Sequence, residues 1–399
     1  MRKGLAYTLF LTSLFCGCVD DSYMGAMGES SDTGNQSIPV VVSLGDSSGG
    51  LVKGSGAIDN SQEWEDKHIY VYAFGKGEDV SFASTSRDEQ YECLMDGTLA
   101  SSGSPAGRKA VLEANDSYAR WVDGKEVFYP YGKYRKMTYD FFAYYLDDAK
   151  VSASDYVRND TTIVLHTEID GSQDLMSGKA ELTDEQLKLF TGEELELVKE
   201  NAYGYYTAQR NIIPTFCLKH HLARLEFELV PGVVEEERKI ITVHELELKS
   251  RYKAAFTVAH RDTTMLGLVF ENGRKRMTLT EKGGEPIEED AYVLTTRMSY
   301  KEKGEPVKMG GNLLVAPDET YDAYITMSEV REDGTELVSY VRTELQIAYE
   351  SGVFEAGSHY NIRLTVYGAT QVVMSVELAN WRDGGDVAVD MDQEMENRY

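Results

Sequence analysis

The run Tyr139-Asp140-Phe141-Phe142-Ala143-Tyr144-Tyr145 constrains the fold more than any other segment of this chain. Aromatic residues favour extended backbone, and a nearly unbroken apolar run of this length predicts a central strand covered on both faces. Its neighbours are short and of the same kind. His68-Ile69-Tyr70-Val71-Tyr72-Ala73-Phe74 alternates, Lys125 to Tyr129 is stopped by Pro130, and Thr162 to His166 follows. After residue 210 the strand-like segments run Phe216 to Val230, Ile240 to Leu248, Ala255 to Ala259, Met265 to Phe270 and Ala291 to Arg297. Leu313 to Val315, Tyr321 to Ser328, Leu337 to Ala348, Tyr360 to Tyr367 and Val372 to Leu378 complete them, with a hairpin turn at Glu332-Asp333-Gly334. Short strands between turn-rich loops predict an all-β sandwich protein, and no repeat of 20 to 50 residues points to a solenoid or propeller.

One region departs from this pattern. Thr183-Asp184-Glu185-Gln186 and Thr191-Gly192-Glu193-Glu194 each have the spacing of a helix capping box. With Leu187, Leu189, Phe190, Leu195, Leu197 and Val198 they predict two short helices over 181–201, a connector near the boundary of two domains spanning 38–210 and 211–399.

The N-terminus reads as an export signal. Met1-Arg2-Lys3 is basic, Leu5 to Phe15 is apolar but too short to span a bilayer, and Leu14-Phe15-Cys16-Gly17-Cys18 ends the run. Gly17-Cys18 resembles a lipobox, which makes 1–17 the leader and Cys18 the acylated (palmitate-type) first residue. Cys16 competes, but bulky Phe15 stands before it. Residues 18–37 are rich in Gly, Ser and Asp and read as a tether.

Val19 to Val52 contains no Lys or Arg. The first basic residue is Lys53, in the Gly/Ser-rich loop 45–57, the kind of segment that proteases nick. Between tether and loop runs one strand-like segment, 38–44, with Ile38, Val40, Val42 and Leu44 on one face. A trypsin-like cut after Lys53 would release anchor and strand together. A spacer that simply lacks basic residues is the competing reading.

At the other end, Asp386 to Met391 places Val387, Val389 and Met391 in alternation behind Gly384-Gly385. Two readings stand: an edge strand closing its own domain, or a strand donated to a neighbour.

The formal charge is −27, and −29 once Arg2 and Lys3 leave with the leader, 38 basic against 67 acidic side chains. Nucleic acid is excluded as a partner, and so is adsorption to anionic lipid, because both need basic patches. Membrane attachment is therefore expected only through the lipid on Cys18. Cys93 and Cys217 read as buried thiols, with a bridge as the alternative in an oxidising compartment. His244-Glu245 begins like a zinc-protease motif, but Leu248 stands where the second His belongs and the segment reads as strand, so no metal is expected. His220 and His221 are neighbours in a strand, on opposite faces, one packed and one solvated. No nucleophile elbow, phosphate loop or dinucleotide fingerprint occurs, so neither enzyme activity nor a cofactor is expected.

Several segments together resemble one family: Trp64 with 68–74, Trp121-Val122-Asp123-Gly124 leading to Tyr129-Pro130 and 139–145, Asp174-Leu175-Met176 with Lys179-Ala180, His220 to Phe227, and Tyr360-Asn361-Ile362 through Trp381 to Asp386. In this order they resemble the fimbrillin (Mfa-like and FimA-like) family of the type V fimbriae of Bacteroidales. The resemblance implies two transthyretin-like β-sandwich domains and export as an outer-membrane lipoprotein displayed on the cell surface. It implies a fimbrial subunit or adhesin assembled by protease-triggered strand exchange, with other fimbrial subunits and a trypsin-like surface protease as partners. Carried onto this chain, the displaced strand is Ile38 to Leu44, the cut follows Lys53, and the donor plugs are Val387, Val389 and Met391. Family members often have Arg at the cut, so Lys53 leaves the protease open. The alternative is an anchored monomeric lipoprotein that binds glycan or a host ligand. Asp160-Thr161-Thr162 and Asp262-Thr263-Thr264 resemble O-glycosylation sites of such bacteria.

Overall fold

The computed structural model describes residues 37–45, 67–83, 91–112, 118–147, 151–235, 237–282, 284–331, 333–347 and 352–379. The fold is all-β, with three short helices among the described residues.

The first sheet begins with β1 (Val42–Leu44), β2 (His68–Gly75), β3 (Cys93–Met95), β4 (Arg108–Leu112), β5 (Tyr118–Trp121) and β6 (Thr138–Leu146). After β7 (Tyr156–Arg158) and β8 (Thr162–Glu168), which belong elsewhere, it continues with β9 (Leu175–Glu181), β10 (Tyr203–Gly204), β11 (Thr215–Phe216) and β12 (Lys219–His220). Its order is β10-β6-β2-β4-β5-β1-β11-β9-β12, and β9 also pairs with β6. Seven strands, β6-β2-β4-β5-β1-β11-β9, therefore close into a ring. Closure leaves no free edge inside the ring.

β6 carries the aromatic run and is buried on both faces, as that run predicts. Tyr139, Phe141 and Ala143 lie in one apolar cluster with Val40 and Val42. Phe142 and Tyr144 face the other way, where the Tyr144 ring meets Phe256 edge-on at 6.1 Å. Phe256 belongs to β15 (Lys253–His260), which pairs with β8 and with β16 (Gly267–Phe270). These strands and β7 make the second sheet, in which segments on either side of residue 210 share one ladder.

The third sheet has the order β19-β13-β22-β23: β19 (Val307–Val315), β13 (Ala223–Pro231), β22 (His359–Gly368) and β23 (Gln371–Ala379). The fourth joins β17 (Arg274–Thr278), β14 (Ile240–Arg251), β20 (Thr320–Val330) and β21 (Glu336–Gln346), with β18 (Tyr292–Thr295) also on β14. From Leu225 onward β13 alternates: Leu225, Phe227 and Leu229 are buried and Glu226 and Glu228 are half-exposed. The turn between β20 and β21 forms at Asp333-Gly334, where Gly334 takes φ +79° and Arg331 N–H reaches Thr335 O at 2.9 Å.

Two expected strands take a different form. Lys125 to Tyr129 joins no ladder beyond an isolated bridge between Phe128 and Pro39. Pro130 and the turn before it leave too short a run. Phe216 to Val230 divides into β11, β12 and β13, because the chain changes sheets there: β11 and β12 pair with β9, and β13 with β19 and β22.

The helical region contains α1 (Asp184–Leu187), α2 (Gly192–Glu200) and α3 (Tyr205–Ala208). The first capping box forms in full, with Gln186 N–H on Thr183 Oγ1 at 3.2 Å and Thr183 N–H on Gln186 Oε1 at 3.0 Å. Thr191 makes no side-chain cap bond.

Candidate functional site

Residues 38–45 complete the ring. Their backbone bonds to two segments far away in sequence. On one side the segment runs antiparallel: Val40 N–H donates to Val127 O at 2.7 Å, Tyr129 N–H to Ile38 O at 3.0 Å, and Val42 and Ser43 pair with Ala119 and Tyr118. On the other side it runs parallel to β11, with Ser43 N–H on Pro214 O and Gly45 N–H on Phe216 O, both at 2.9 Å. The Ser43 and Thr215 hydroxyls meet in a buried hydrogen bond of 2.9 Å.

The side chains follow the period of two read from the sequence. Val40 is 2% exposed and Val42 0%. Ile38 and Leu44 pack half-buried against the same cluster, whose wall includes Ala119, Val127, Tyr129 and Phe216. Burying the two valines stabilises the closed ring by about 3–6 kcal/mol. Cutting the chain beyond residue 45 would therefore not by itself expel the strand. A competing strand with the same alternation would be needed.

The wall beside β1 is stapled by charge. Arg108 Nη2 meets Asp123 Oδ1 at 2.6 Å and also donates to Lys125 O, while its guanidinium lies 4.9 Å from the Trp121 ring centroid. Burial raises the Asp123 pKa, but the bonds from Arg108 and from Lys125 N–H outweigh it and hold the carboxyl below its ordinary value. The turn at Gly124, φ +65°, then delivers Val127 and Tyr129 to Val40 and Ile38, just before β1. The Trp-Val-Asp-Gly motif thus builds the slot wall. The Tyr129 hydroxyl is buried in that wall with no hydrogen-bond partner among the described residues, and burial pushes its pKa up.

Of the residues singled out from the sequence, Ile38, Val40, Val42 and Leu44 come together here. Cys18, Lys53, Val387, Val389 and Met391 lie outside the described residues. Reading the sequence missed β11, whose Thr215 and Phe216 form the parallel wall; Pro214 before them is the local signal of a strand start.

Both adjacent histidines are enclosed, against the expectation that one is solvated. The His220 side chain is 7% exposed and its Nδ1 lies 2.8 Å from Oδ2 of the fully buried Asp174. His221 Nε2 lies 2.8 Å from Ser177 Oγ, its ring meets Phe256 edge-on at 5.5 Å, and burial lowers its pKa to about 4. They sit where β12 leaves the first sheet for β13, with sheet on both sides. His244 is on strand β14, bonded to Ser328 Oγ at 2.8 Å and Glu289 O at 3.0 Å. No group of three or more metal-ligating side chains is found among the described residues. Cys93 is a buried thiol on β3 and Cys217 a half-buried one between β11 and β12. Thr161 and Thr263 are exposed on adjacent turns of the second sheet, joined through Arg261 N–H on Thr161 O at 3.0 Å.

No protein-family model and no curated protein matches the chain. The solved structures similar to it include fimbrial and cell-adhesion proteins of Bacteroides and Porphyromonas. A fimbrial protein from Bacteroides vulgatus is 12% identical over 86% of this chain and 99% of its own, at TM-score 0.45. A candidate cell adhesion protein from Bacteroides ovatus is 13% identical over 86% and 97%, at TM-score 0.40. The fimbrial anchor protein Mfa2 from Porphyromonas gingivalis is 14% identical over 86% and 99%, at TM-score 0.28.

Proposed function

We propose that this chain is a fimbrillin-type surface protein, a fimbrial subunit or adhesin that assembles by exchanging its first strand. It is exported as a lipoprotein on Cys18, cut after Lys53, and joined to the next subunit by a strand that replaces residues 38–45. The observation that carries the proposal is the seam itself. Residues 38–45 close a ring through backbone bonds to β5 and β11 and fill it with Val40 and Val42. They also lie directly before the loop that holds the first basic residue after the leader.

Removing such a strand exposes two rows of backbone donors and acceptors and an apolar slot. β-augmentation fills both, with main-chain bonds giving affinity and alternate side chains giving register. Val387, Val389 and Met391 have the spacing of Val40, Val42 and Leu44. A head-to-tail contact of this kind does not close on itself and grows a filament. Lys53→Ala tests the scheme: the variant folds and reaches the surface but forms no fibres. Normal fibres from it would refute the cleavage step.

A second reading is favoured by Tyr300 and Tyr340, 84% and 83% exposed. Exposed phenol rings with polar tips suit a glycan or host ligand bound by an anchored monomer. That reading requires an uncut chain at the cell surface.

A further inference from the structure

The outer face of the fourth sheet departs from the rule that an antiparallel sheet turns polar side chains to water. Its inner face is ordinary core, with Ile241, Val243, Leu294 and Met327 at most 4% exposed. The residues between these point outward, and several are apolar. Val293 of β18 stands opposite Thr242, Thr242 opposite Ser328, and Ser328 opposite Val338 of β21. The pairing of Ile241 with Glu329 sets Ile240 beside Val330 in the next row. Tyr340 follows Val338 on the same face, opposite Thr326. Ile240, Val293, Val330 and Val338 are 48–54% exposed and Tyr340 83%. Five large apolar side chains on one face of four neighbouring strands mark an interaction surface.

The rim of this surface is acidic. Glu336 stands opposite Val330, and Glu245 opposite Thr326, the partner of Tyr340. Glu288, Glu289 and Asp290 come just before β18, and His244 Nδ1, 3.0 Å from Glu289 O, holds that turn against the face. All five acidic residues are exposed, and none of their carboxylates makes an ion pair among the described residues. The nearby bases Arg238 and Lys239 are taken by Glu302 and Glu329. We propose that this face docks a cationic amphipathic peptide segment of another protein, its apolar side chains on the patch and its Lys or Arg over the rim. Charge complementarity selects that partner. The chain's own ends do not fit: 19–36 has four acids and no base, and 380–399 has six acids and two bases. A second copy is itself at −27, so all three bring like charge to the rim. Four of the five patch side chains are aliphatic, which suits a peptide rather than a sugar. Four strands span about 14 Å, which a helix of about three turns covers. The inference is independent of strand exchange, since it uses neither residues 38–45 nor Lys53.

Calorimetric titration of the full chain with a synthetic Leu/Lys peptide of about 14 residues, apolar on one helical face, tests it. Saturable binding is expected, at least about tenfold weaker in Val338→Lys. The pair Glu289→Gln and Asp290→Asn is expected to weaken it about threefold or more at low salt. These positions are exposed, and unchanged thermal melts establish that the variants keep the fold. Val157→Lys, on β7 of the second sheet, is expected to leave binding as it is. Equal binding of a peptide with the same Leu/Lys composition in scrambled order would reduce the effect to net charge and overturn the proposal. So would binding indifferent to Val338→Lys, or no binding to the parent chain. Binding gained only on deletion of 380–399 would assign the face to the chain's own tail. Binding lost as protein concentration rises would assign it to a second copy, and either result would also overturn the proposal.

Discussion

Val42 is fully buried in β1, which pairs with β5 on one side and β11 on the other, so its side chain closes the seam as well as filling it. Val42→Ala is expected to lower unfolding stability by about 2 kcal/mol, measured by denaturant titration. Tyr129→Phe should do the opposite, raising stability by about 1 kcal/mol, because it deletes a buried hydroxyl without a partner. His221 carries a pH signature. Burial lowers its pKa to about 4, against about 6.5 unfolded, so the unfolded chain binds the extra proton first. Stability is full above pH 6.5 and falls as pH drops towards 4, by on the order of 2–3 kcal/mol. Burial lowers the pKa of His359 to about 4 as well, adding a slope in the same window. His221→Gln should flatten part of that slope in melts recorded between pH 7 and 4.

Elements show where a single sequence is informative. The aromatic run of β6 was legible because burial on both faces requires consecutive apolar residues, whatever the neighbours are, whereas β2, read as alternating, is also buried on both faces from Val71 onward. β1 was legible as a strand, but not as the piece that closes a ring. Its parallel partner β11 is two residues long and stands in a stretch that reads as one continuous strand. Short pairings such as β10, β11 and β12 arise from where the chain is already held, and two residues carry no periodicity. The helix starts illustrate the same limit. Both Thr residues have capping-box spacing, yet only Thr183 closes its box. Thr183→Ala should therefore lower stability by about 1 kcal/mol and Thr191→Ala by less than half of that, in matched thermal melts.

Across the whole molecule, the ring ties the N-terminal end of the described chain to its middle. One core cluster lines the ring around β1, and a second runs from the outer faces of β2 and β6 through the second, third and fourth sheets. Under the proposed exchange, loss of β1 would act on one cluster and leave the other packed, so the fold would survive the loss of that strand. The formal charge of −27 would make copies of the chain repel one another, which the proposed strand contact would have to overcome. The charge was legible at once, whereas the seam needed the three-dimensional pairing.

Limited trypsin digestion of the protein without its leader, followed by mass spectrometry and size exclusion, tests the central claim most directly. The account predicts one early cut after Lys53, followed by loss of the fragment bearing residues 38–45 as a ladder of oligomers grows. Cuts scattered elsewhere, or a clean cut at Lys53 that leaves the fragment bound and the protein monomeric with donor strands present, would contradict it.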